Sequence, residues 1–251
     1  MKRFILTALT AGLLAGPAMA ADMRAPAPML TKAPMVAPAF SWTGCYIGAG
    51  AGYGMWNQES FGESDPGHVA FTADTTSGGK GWFGTAGVGC DYQVNSYIVI
   101  GAFGDWDFGD IKGDFSAPGF DLVGSESEKW AWGAGGRIGW LVTPTVLTYF
   151  SGGYTQAHFD GVSFGDLFVG PAVASMGANT YNGWFLGSGF DYAISILPSG
   201  FFLRSEYRYS TYNAVDLPIL DVAGVSIGAV NSKKFVQTVR SELTYRFNWS
   251  R

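Results

Sequence analysis

The sequence is short of charge. Only 14% of its 251 residues are Asp, Glu, Lys or Arg, where soluble globular chains average about a quarter. The two cysteines exclude a disulfide-dense scaffold or a multi-cysteine metal site. Basic runs are absent and the net charge is −5, which excludes nucleic acid as a partner. No apolar stretch reaches the ~20 residues of a membrane-spanning helix, because glycine and polar residues interrupt each one. What is abundant is glycine, 37 residues, and aromatic side chains, 16% of the chain. That content, with 47% apolar residues, argues against disorder.

The first twenty residues read as a secretory leader. Lys2 and Arg3 precede the apolar run Phe4 to Leu14, and Ala18-Met19-Ala20 supplies small residues for cleavage after Ala20. A membrane anchor is the other reading, but the run is too short. Residues 21–41, with Pro26, Pro28, Pro34 and Pro38, predict an extended periplasmic tether without chemistry of its own. Residues 42–251 then form the main domain.

From Cys45 the pattern has a period of two, the strand signal. Eight such runs occur, and in seven of them large apolar groups hold one parity while glycine and charge hold the other. In the first, Cys45, Ile47, Ala49, Ala51, Tyr53 and Met55 alternate with Gly48, Gly50, Gly52 and Gly54. The fifth run, Val146 to Gln156, has no charge to choose its face, so its parity stays open. Alternation alone does not separate a soluble barrel from a membrane barrel. The connections favour the second: residues 57–80, 109–127, 158–181 and 212–232 read as long loops, whereas turns near Gln93, Pro144 and Pro198 are short. Strict long-short alternation on an even strand count is the pattern of outer-membrane barrels. Trp82, Trp106, Phe108, Trp130, Trp132 and Trp184 fall near one end, and Trp140, Tyr192, Tyr245 and Phe247 near the other, as two aromatic girdles. The expected fold is all-β, an eight-stranded antiparallel transmembrane barrel.

Trp42-Thr43-Gly44-Cys45-Tyr46-Ile47-Gly48 resembles the W-T-G-x-Y-x-G opening of the alphaproteobacterial outer-membrane immunogenic proteins, a RopB-type family whose relatives include hemin-binding proteins. Leu203 to Tyr209 is similar to that family's K/R-x-E-Y-x-Y strand, and Val239 to Phe247 to its closing strand. The resemblance implies an integral outer-membrane protein of Gram-negative cells, an antigenic or adhesive contributor to the envelope without enzymatic residues or cofactor. It also implies lipid, lipopolysaccharide and the barrel-assembly machinery as partners. Family members end on an aromatic that this machinery reads. Here Tyr245, Phe247 and Trp249 share that parity, and Trp249 stands nearest the end.

Eleven charged residues fall on the inward parity: Asp91, Asp105, Asp107, Arg137, Asp191, Arg204, Glu206, Arg208, Arg240, Glu242 and Arg246. Six acids against five bases suit a narrow lumen, where a paired charge is tolerable and an unpaired one costly. They read as a structural plug, or alternatively as the ion path of a narrow porin. Cys45 and Cys90 share the outward parity, and a register pairing them also pairs Trp56 with Gly79, reproducing the first long loop. A cross-strand disulfide is the expectation, and two small apolar residues facing lipid the alternative. His68 and His158 invite hemin or metal binding through imidazole, without a ligand spacing to support it. His158, Asp160, Ser163 and Asp166 include the residue types of a hydrolytic set but match no motif, and loop solvation explains them as well. The long loops hold twelve acids, among them Glu63, Asp110, Asp114, Glu126 and Asp216, against Lys80 and Lys112. They should repel lipopolysaccharide phosphates unless divalent cations bridge them.

Overall fold

The computed structural model describes residues 41–65, 67–166 and 172–247. The leader, the Pro-rich stretch apart from Ser41, and Trp249 lie outside the described residues. The described residues form one antiparallel sheet of eleven strands: β1 (Gly44–Glu63), β2 (Thr75–Gln93), β3 (Ile98–Ala117), β4 (Leu122–Thr143), β5 (Val146–Phe159), β6 (Val162–Asp166), β7 (Ala174–Met176), β8 (Asn179–Ala193), β9 (Phe201–Tyr212), β10 (Val215–Asp221) and β11 (Ser226–Phe247). β1 pairs with β11 from Cys45↔Phe247 to Glu63↔Ala229 and closes the sheet on itself. The ring runs β1-β2-β3-β4-β5-β8-β9-β11, the expected eight-stranded barrel.

The three additional strands carry the ring upward. Phe159 pairs with Asn179 in β5–β8, and Val162 pairs with Met176 in β6–β7, the same register three residues further along. β8–β9 pairs Gly183 with Tyr212, and β7–β10 pairs Met176 with Ile219, again without a shift. β6, β7 and β10 are therefore continuations of β5, β8 and β9. At the upper end the ring is β1-β2-β3-β4-β6-β7-β10-β11, closed by β4–β6.

This corrects the expectation of four long loops. Residues 57–63 and 75–80 belong to β1 and β2, and 109–117 and 122–127 to β3 and β4, which leaves a connection of only 118–121. That turn is tight: Gly119 (φ 79°) and Asp121 (φ 51°) occupy the left-handed region, which glycine enters without steric cost. These segments mimic loops because their outer face meets water and takes polar residues, among them Asn57, Glu59, Thr76, Asp110, Lys112 and Asp114, while glycines such as Gly62 and Gly113 interrupt the inner face. Strands of 19 to 22 residues in β1 to β4 and β11 exceed the 9–11 that cross a bilayer, so the barrel projects beyond it. The short connections, at 94–97, 144–145 and 194–200, are as expected.

The open parity of β5 is resolved: Leu147 and Tyr149 are buried inward, and Phe150 and Tyr154 are exposed outward. The bare inward face of β1 has a purpose, since a Cβ at Gly52 would lie 2.4 Å from Phe83 Cζ. In a lumen this narrow, glycine on one strand makes room for the ring of the next.

Surface proteolysis should separate strands from loops. Cleavage is expected within 64–65 and 67–74, and none within 57–63 or 75–80. Cuts throughout 57–80 would show that the extension is not folded.

Candidate functional site

The interior holds most of the buried charge among the described residues. It is filled in three layers. At the end with short turns, Trp42, Val99, Leu147 and Phe202 form a small apolar core. Trp42 donates through its indole to Pro144 O (3.3 Å) and through its backbone N–H to Gln93 Oε1 (3.0 Å), while Arg246 donates to its carbonyl (2.6 Å). The tryptophan that opens the W-T-G run is thus the stopper of that mouth.

Above it the structure gathers the eleven inward charges into two groups. In the lower, Asp191 accepts from Arg204 Nε (2.8 Å) and Nη2 (3.0 Å) and from Arg137 Nη2 (3.1 Å). Asp91 accepts from Arg137 (2.9 and 2.5 Å) and lies 2.7 Å from Arg246 Nη2. Glu242 lies 3.9 Å from Arg204. Three acids face three arginines, and the Tyr46 ring packs against Arg137, Arg204 and Arg246. In the upper group, Asp105 takes a bidentate bond from Arg208 (2.8 and 2.7 Å), and Asp107 one from Arg240 (3.0 and 2.8 Å). Glu206 accepts from Arg208 (2.8 Å) and from the Tyr149 hydroxyl (3.0 Å). Planar guanidinium forks match carboxylates in this way, and all eleven side chains are mutually engaged.

The third layer fills the projecting end with an apolar core that includes Trp56, Phe115, Phe159, Phe164, Tyr181 and Ile219. At its centre Lys234, fully buried, donates to Gln58 Oε1 and to Glu126 Oε2 (2.7 Å), with the rings of Trp56, Phe159 and Tyr181 around its ammonium. Glu126 and Lys234 are inward charges that the parity reading missed, together with the buried Glu128. The cause is a bulge between Glu128 and Trp130 in β4, which reverses parity and turns Glu126 and Glu128 inward where simple alternation points them out. Lys234 lay one residue outside the eighth run. Glu63 is a buried residue of β1 bonded by His68, contrary to its reading as a loop acid, and Asp110, Asp114 and Asp216 also lie in strands.

The other candidate residues are dispersed. Cys45 and Cys90 are paired across β1–β2 with their sulfurs bonded. His158 stacks on Trp130 and bonds Thr180 Oγ1 (2.9 Å) on the outer wall. Asp160 Oδ1 is 4.0 Å from its ring, and no hydrogen bond joins Ser163 to it among the described residues. His68 reaches Glu63 Oε1 (2.9 Å) and Asp216 Oδ2 (3.6 Å) at the outer rim. That bond to Glu63 raises the imidazole above its ordinary pKa.

Two expectations follow. Asp191→Asn leaves Arg204 buried without its bidentate carboxylate and removes one of the two that Arg137 meets, so it should cost about 3–5 kcal/mol in urea unfolding of the barrel refolded into lipid; a loss below 1 kcal/mol would contradict the network's role. His68, with a raised folded pKa, contributes stability that is present below the unfolded value of about 6.5 and lost as pH rises through the folded one. Amide exchange of residues 67–70 should therefore lose protection on raising the pH through that window, after correction for intrinsic rates. The effect should vanish in His68→Gln; an unchanged profile in that variant contradicts the assignment.

Comparison with known proteins agrees with this architecture. The family model described as "Outer membrane protein beta-barrel domain" matches residues 7–248. The 31 kDa outer-membrane immunogenic proteins of Brucella melitensis biotype 1 and Brucella suis biovar 1 are each 33% identical over 256 residues, covering 98% of this chain and all of theirs. Among solved structures, the outer membrane protein OprG from Pseudomonas aeruginosa shares the fold, with a TM-score of 0.53 at 11% identity, covering 82% of this chain and 97% of that one. A closed eight-stranded ring, an outward apolar belt and a match over nearly the whole length lead to one conclusion: the chain belongs to the outer-membrane β-barrel family and resides in the outer membrane.

Proposed function

We propose that the protein is a non-conducting, non-enzymatic barrel whose role is structural and superficial: it stiffens the outer membrane and presents a rigid projection to the exterior. The observation that carries this reading is the continuous filling of the lumen. An apolar stopper around Trp42, two ion-paired arginine–carboxylate groups and an aromatic core around Lys234 succeed one another along the axis. An ion path needs water and charges free to exchange partners, whereas bidentate pairs in a narrow lumen hold theirs. Against an enzyme, Ser163 and His158 lie on different stretches of the outer wall without a shared hydrogen bond.

The immunogenicity named in the Brucella relatives fits the projection. Ordered strands beyond the membrane hold their outward side chains in a fixed arrangement, which favours recognition by preformed surfaces. Adhesion would use the same face.

Planar-bilayer recording on the refolded protein, with folding confirmed by heat-shifted gel mobility, tests the proposal. Wild type should be silent. Trp42→Ala should be silent as well, because the Lys234 core still seals the other end. Reproducible steps from wild type that change on substitution of Arg204 or Arg240 would overturn the plug and establish the narrow porin.

A further inference from the structure

Basic residues are sorted by type. Every arginine in the described barrel faces the lumen, and every lysine except Lys234 lies on the outer wall: Lys80, Lys112, Lys129 and Lys233. Each sits one to four residues to the exterior side of an outward aromatic on its own strand, respectively Trp82, Phe108, Trp130 and Phe235. Aromatic rings of a barrel mark the membrane–water boundary, so these lysines stand at the height of the outer-leaflet headgroups.

Three of the four are on adjacent strands, and two are directly opposed. Lys80 pairs with Lys112 across β2–β3, an arrangement of like charges that destabilises a ladder. Asp110 lies 2.7 Å from Lys112 and 2.8 Å from Lys129, and Asp160 is 3.3 Å from Lys129. Lys80 has no ion pair or hydrogen bond among the described residues. It borders a recess with Met55, Asn57, Lys112, Asp114 and Ser125. Asp114 is its acidic side, two residues beyond Lys112.

Below this pair, on the same wall, the outward surface recedes. A second, almost wholly apolar hollow is lined by Ile47, Ala86, Val88, Trp106, Trp132 and Ala134. On β5, β8, β9 and β11 the corresponding band carries Phe150, Leu186, Leu203 and Leu243. A cationic top, an aromatic rim and an apolar trough thus follow one another down β2–β4.

We propose that this wall is a binding site for a phosphorylated glycolipid of the outer leaflet, with its phosphate between Lys80 and Lys112, its sugar against Trp82 and Phe108, and an acyl chain in the trough below. Lys112 already meets Asp110 and would share its ammonium with the phosphate, and Lys80 gains the partner it lacks. Attraction between lysine and anionic headgroup adds to burial of apolar surface.

The test is native mass spectrometry of the refolded full barrel, released from detergent after incubation with bis-phosphorylated lipid A. Folding of each variant is checked by gel mobility. Wild type should retain the lipid, and Lys80→Gln/Lys112→Gln should lower its occupancy-derived affinity about tenfold or more, the equivalent of about 1.4 kcal/mol. Lys233→Gln, on another wall, should match wild type. Ala134→Phe, which fills the trough without touching charge, should weaken retention too. Equal loss in Lys233→Gln, no loss in the double variant, or equal binding of dephosphorylated lipid A would overturn the proposal. Displacement by an equal concentration of phosphatidylglycerol would overturn the glycolipid assignment in favour of a phospholipid.

Discussion

Closure of the sheet is the constraint on which the rest depends. In a bilayer an unpaired strand edge has no water to bond, so β1 must find β11, and nineteen consecutive pairs from Cys45↔Phe247 to Glu63↔Ala229 achieve it. Eight strands make a ring whose interior is about the width of packed side chains. Every inward residue is therefore a packing decision as well as a chemical one. Glycines on β1 leave room for Phe83, and arginines that reach across the lumen find carboxylates at bidentate distance.

The interior changes character along the axis because its surroundings do. Within the membrane the outward face must be apolar, and alternation leaves the inward face to polar groups that satisfy one another: three arginines face three acids around Asp91 and Asp191, and two face three around Asp105. Beyond the membrane the logic inverts. The outer face of the extension meets water, and its inner face forms a core like that of a soluble protein, built on Trp56, Phe115, Phe159 and Tyr181. Lys234 is tolerated there because Glu126, Gln58 and three aromatic rings surround it. The same inversion sorts the bases, with planar arginine forks paired inside and flexible lysine stems outside, above the aromatic rim.

Much of this was legible in the residues. Seven strands declared their faces by parity, and the inward charges read from the sequence all reach the lumen. The connections misled where charged and amide residues on a wetted strand, broken by glycine, resemble a loop: 57–63 and 109–117 are strand. Parity misled at the bulge beside Glu128, where one extra residue sends Glu126 inward. No local signal could orient β5, whose two faces are equally apolar; Leu147 turns inward because the Trp42 stopper needs it, and Tyr149 because Glu206 accepts its hydroxyl.

The sequence by itself determined the class of object: a period of two fixes which side chains share a face, and a chain without an apolar helix can span a bilayer only as a closed sheet. Tertiary structure alone decided which carboxylate each arginine meets, since Asp105 and Arg208 lie 103 residues apart and only the register of closure brings them together. It also decided that the upper strands continue as a second ring, because that pairing depends on how β6, β7 and β10 inherit the registers below them. Periodicity is a property of neighbours along the chain, whereas register is a property of strands brought together by folding.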